Sequence, residues 1–87
     1  MEKLGIQALI VPNPSAGDAA LWLALIQSQR LEINVSDALG RVLYSKAGLF
    51  QAGEAVVELP EGLVAGVYWV RVVDVYGNGL VIRWLVM

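Results

Sequence analysis

The chain has 87 residues, 57% of them apolar, a net charge of −2, and neither cysteine nor histidine. That suffices for one domain held together by packing alone. It leaves the four serines (Ser15, Ser28, Ser36, Ser45) without an imidazole to activate them, so no enzyme, no cofactor and no metal site is expected. The six basic residues are spread along the chain rather than clustered, which argues against a nucleic-acid partner.

Taken in chain order, Met1-Glu2-Lys3 is followed by only a short apolar run, without the pattern of a secretory signal peptide. Pro12 and Pro14 then fix φ and remove two donors, so this stretch is extended but not a central strand. Asp18 followed by AALWLALIQSQRL reads two ways. It has an N-cap and good helix formers, yet as a strand it sets Leu21, Leu23 and Leu25 against Trp22, Ala24 and Ile26, with both faces apolar. The uncharged, largely apolar stretch Ala19 to Gln29 is too short to span a bilayer, which takes about 20 apolar residues; the chain is expected not to be membrane-spanning.

Beyond Gln29 the alternation is clear. In LEINVS, Leu31, Ile33 and Val35 share a face, and DALG (37–40) follows as a turn from an Asp to a Gly able to take positive φ. In EAVVEL, Ala55, Val57 and Leu59 oppose Glu54, Val56 and Glu58. VYWVRVV puts Tyr68, Val70 and Val72 on one side and Trp69 and Arg71 on the other. GNG (77–79) offers Asn-Gly at the tip of a last hairpin. The final LVIRWLVM groups Leu80, Ile82, Trp84 and Val86 against Val81, Arg83 and Leu85, with the Arg83 face outward because an unpaired buried guanidinium is costly. Short apolar runs between closely spaced turn signals predict an all-β sandwich or barrel.

The order of motifs adds a resemblance: VPNP at 11–14, NVSDALGRVL at 34–43, GLVAGVYWVRV at 62–72, and a closing strand with a basic residue near its end. Together they resemble the C-terminal sorting domain of type IX secretion cargo from Bacteroidota-type Gram-negative bacteria, over Val11 to Met87. Two departures stand out. Val64 occupies the position where the family usually has proline, which here is Pro60, and Arg83 stands where many members have lysine.

The resemblance implies a seven-stranded Ig-like antiparallel β-sandwich in which 19–26 is a strand and Tyr68 a tyrosine corner. It implies residues 1–10 as a linker from an N-terminal passenger and 11–87 as the sorting domain. It implies a secreted or cell-surface protein, exported through periplasm and outer membrane, whose partners are the outer-membrane secretion components and a sortase-like protease. The residues it marks for recognition are Pro12, Asn13 and Pro14, the turn residues Asp37, Gly40 and Arg41, then Gly66 and Tyr68, and finally Arg71 and Arg83.

Plainer roles stand beside these. Pro12–Pro14 reads as a stiff start to the domain, Gly40 and Gly66 as backbone devices, and Tyr68 as core with a satisfied hydroxyl. If neighbouring strands pair, Arg71 and Arg83 share an outer face with Trp69, Val81 and Leu85, an apolar surface rimmed by charge. A partner would read this hairpin by pairing with its edge or by docking on that face. The alternative reading is a carbohydrate-binding or adhesive module with Trp22, Trp69 and Trp84 as its platform.

Overall fold

The computed structural model describes residues 5–87, and every regular element among them is a strand. β1 (Ile6–Val11), β2 (Ala20–Leu25) and β5 (Gly53–Glu58) form one sheet in the order β1-β2-β5. β3 (Gln29–Ser36), β4 (Val42–Phe50), β6 (Gly66–Asp74) and β7 (Gly79–Val86) form the other in the order β4-β3-β6-β7. All pairs are antiparallel. This is the expected seven-stranded Ig-like sandwich.

The core is built from alternate residues of both sheets. Ile6, Ile10, Leu21, Leu23, Leu25 and Val57 of the smaller sheet meet Leu31, Ile33, Val35, Tyr68, Val70, Val72, Trp84 and Val86 of the larger one. The stretch from Ala20 to Leu25 is a central strand, paired residue for residue with β1 and with β5. Ladder bonds on both sides and burial of three leucines override its helix propensity.

The expected linker over residues 1–10 is corrected from Ile6 onward; residues 1–4 lie outside the described residues. Ile6 and Ile10 are buried, Ala8 packs beside them, and the whole stretch to Val11 pairs with β2. The period-2 spacing of Ile6, Ala8 and Ile10 makes an inward face, which a solvated linker would not need.

Both long hairpins turn on the same device. In the β3–β4 turn, Asp37 Oδ1 accepts from the backbone N–H groups of Leu39 and Arg41 (2.9 Å each), while Gly40 N–H donates to Asp37 C=O (3.0 Å). In the β6–β7 turn, Asp74 Oδ1 accepts from Tyr76 and Asn78 (2.9 and 3.0 Å), and Gly77 N–H donates to Asp74 C=O (3.1 Å). Gly40 and Gly77 have φ of 87° and 86°, a conformation that costs other residues about 1–2 kcal/mol. The last turn is therefore Asp74-Val75-Tyr76-Gly77, not the Asn78-Gly79 expected from the dipeptide. The carboxylate two residues before the tip decides it, by satisfying two amides at once.

β4 is an edge strand and carries a guard. Lys46 pairs with Ile33, and so sits on the core-facing side, yet it is exposed. An inward-pointing charge of this kind opposes pairing with a further strand.

Candidate functional site

The last hairpin has two faces of different character. Trp84 points inward and is 1% exposed, with its ring centroid 5.8 Å from that of Tyr68. Its indole Nε1–H donates to Ser15 Oγ at 2.9 Å, inside the protein, and Ser15 is itself 1% exposed. Tyr68 is also buried, and its hydroxyl donates to Val64 C=O at 2.6 Å, the geometry of a tyrosine corner. Tyr68 is thus out of reach of any partner, which corrects its place among the recognition residues. Gly66 opens β6 opposite Val86.

On the outer face, Trp69 pairs with Arg83, Arg71 with Val81, and Val67 with Leu85. Trp69 is 39% exposed, Val81 58%, and both arginines are exposed. Beyond β6, Ser36 and Asn34 of β3 continue the rows of Trp69 and Arg71. Neither Arg71 nor Arg83 has an ion pair or side-chain hydrogen bond among the described residues, where Arg41–Asp37 is the one salt bridge. Trp69, Arg71, Val81, Arg83 and Leu85, separated in the sequence, therefore form one surface of apolar area with two unpartnered guanidinium groups.

The edge of β7 is largely taken. Asn13 acts as a piece of strand: its Nδ2–H donates to Arg83 C=O (2.8 Å) and its Oδ1 accepts from Leu85 N–H (3.1 Å). Ser15 continues the pairing, donating its N–H to Leu85 C=O (2.9 Å) and accepting from Met87 N–H (2.8 Å). Pro12 and Pro14, which have no N–H to leave unpaired, flank Asn13. The 12–15 segment is thus a staple along β7 rather than a free start to the domain. It covers the edge from Arg83 onward, so a partner is left the outer face rather than the edge. Asn13 and Ser15 were not legible as partners of β7, since they lie about 70 positions from it in the chain.

The Trp platform fails on geometry. Trp22 lies on the outer face of the smaller sheet, Trp69 on the outer face of the larger one, and Trp84 in the core. No two can stack on one ligand surface.

Asp37 and Arg41 are spent mainly on each other, through Arg41 Nε to Asp37 Oδ2 at 2.8 Å. The Arg41 backbone N–H bond lowers the Asp37 carboxyl most; desolvation opposes it, and the guanidinium and the Leu39 N–H then bring the net value below that of an ordinary aspartate. A carboxyl depressed in the folded state contributes stability above its unfolded-state value and loses it as pH falls through the folded one. Following the Asp37 carboxyl by NMR should therefore show a low midpoint, with the Leu39 and Arg41 amides shifting at the same pH. Arg41→Ala should move that midpoint only part of the way up, because the backbone donors remain. A full return to the ordinary value would mean that the backbone N–H groups of Leu39 and Arg41 contribute nothing to it.

No protein-family model matches this chain, and no curated protein matches it significantly. Among the described residues no helix is long and apolar enough to cross a membrane, and no group of three acidic side chains is placed to hold a metal ion.

Proposed function

We propose that this sandwich is a sorting signal of the type IX secretion kind, read by outer-membrane secretion components and then by a surface sortase-like protease that acts on the passenger–domain junction. On this reading the domain performs no chemistry; it is a folded address, delivered through the periplasm and outer membrane to the cell surface. The ordered motifs from VPNP to the closing basic strand support it. The observation that carries it is the outer face of β6 and β7, where Trp69, Val81 and Leu85 surround two arginines that the fold itself does not use. Charge without an internal partner beside exposed apolar area is what a docking surface offers.

The test pairs folding with delivery. Arg71→Glu with Arg83→Glu should leave the melting temperature nearly unchanged, since exposed substitutions shift stability by within about 0.5 kcal/mol each. Surface delivery of a reporter fused ahead of residue 5, in a host with type IX machinery, should collapse, because reversed charge repels the partner as well as losing its contacts. Arg71→Gln with Arg83→Gln should reduce delivery less. Normal delivery by a well-folded Glu double variant overturns the proposal.

A further inference from the structure

The opposite side of the sandwich carries a second unusual surface. Strand alternation and register lay out the outer face of the smaller sheet as three rows: Val11–Ala20–Glu58, Leu9–Trp22–Val56 and Gln7–Ala24–Glu54. Outward positions of an antiparallel sheet are ordinarily polar. Here the middle row is wholly apolar, with Leu9 45% and Val56 65% exposed, and Trp22 partly so. Leu9, Val11, Ala20, Trp22 and Val56 line one shallow depression.

The charge around it has one sign. Among the described residues, Asp18, Glu54, Glu58 and Glu61 lie in this sheet or in the loops that flank it, with no basic residue there. Arg30, Arg41, Lys46, Arg71 and Arg83 all belong to the other sheet or its first turn. Glu54 and Glu58 bracket Val56 on one strand, which sets them about 13 Å apart at 3.2–3.4 Å per residue.

We infer that this face docks a protein segment presenting an aliphatic side chain between two cationic ones at matching separation, as alternate residues of a strand do. Lysines at i and i+4 of such a strand reach Glu54 and Glu58 while the residue between them covers Val56 and Trp22. A second copy of this chain fits poorly: its Arg71 and Arg83 are diagonal neighbours, only about 7–8 Å apart. A glycan fits poorly too, because the lining is almost wholly carbon and leaves sugar hydroxyls without partners. The inference is independent of the sorting role, which uses the other face.

The probe is a disulfide-closed β-hairpin peptide displaying Lys, Leu and Lys on one face, beside a twin with Glu in place of both lysines. Titration into the labelled domain should shift the Trp22 indole resonance and the Leu9 and Val56 amides with saturation, and the Glu twin should bind at least tenfold more weakly. Glu58→Lys should weaken binding of the Lys hairpin severalfold, whereas Glu32→Lys, an equal change of net charge on the other sheet, should not. Equal binding by the two hairpins, or shifts scattered over both sheets, would overturn the inference. So would a molecular mass that doubles with concentration, which would assign the face to a second copy.

Discussion

Trp84→Ala should cost about 3–5 kcal/mol, in line with deletion of a large buried aromatic. At about 4–8 °C per kcal/mol for a domain of this size, that removes most of its thermal stability. The loss has two parts. The indole fills the core beside Tyr68, and its N–H is the partner of the buried Ser15 hydroxyl. Two milder variants separate them. Ser15→Ala strands the indole N–H without an acceptor and should cost about 1–3 kcal/mol. Trp84→Phe keeps most of the packing but strands the serine. Together they remove both polar groups, and the double variant should be more stable than the sum of the single losses predicts. Denaturant melts of the four proteins measure this. Strict additivity would mean that the Ser15–Trp84 bond contributes nothing of its own.

The second large effect is expected at Asn13. Its amide both donates to Arg83 and accepts from Leu85, as a peptide group of a neighbouring strand would. Asn13→Ala loses two hydrogen bonds, each worth about 0.5–1.5 kcal/mol, and opens the β7 edge to pairing with other chains. Asn13→Asp should be worse than alanine at neutral pH, because a carboxylate still accepts from Leu85 but faces the Arg83 carbonyl oxygen with a second negative group. Hydrogen exchange at the Leu85 amide gives the local readout, and sedimentation gives the association. Unchanged Leu85 protection in Asn13→Ala would show that the staple is held by Ser15 alone.

How much of this was legible in the sequence varied with the range of the interaction. Alternation in β3, β5, β6 and β7 stands in the residues themselves, so the outward setting of Trp69, Arg71, Val81, Arg83 and Leu85 could be read directly. β2 could not be read from periodicity, because a central strand with Trp22 and two alanines outward is apolar on both faces. For β1 the resemblance implies a linker, although Ile6, Ala8 and Ile10 alternate as a strand with one inward face does. The turn at Asp37 is legible in its Asp-x-x-Gly pattern. Asp74 carries the same pattern, but Asn78-Gly79 beside it is the stronger hairpin signal in isolation, because it reflects backbone preference and not the carboxylate upstream. Burial of Trp84 follows from its parity with Leu80 and Ile82, which already separates it from Trp69. What no local pattern carried was the bond between Asn13 and β7, whose partners are 70 and 72 positions away.

That separation also sets a sequence of events in time. Residues 13 and 15 leave the ribosome about 70 residues ahead of their hydrogen-bond partners at 83, 84, 85 and 87. Closing a loop of that length is among the slower steps available to a small β domain, because its entropy cost comes before any contact rewards it. While β7 is missing, β6 offers an open edge and the core lacks Trp84. The nascent domain therefore stays incomplete, and exposed to proteases and chaperones, until β7 has left the ribosome. A chain broken off before β7 is thus marked by its own failure to close.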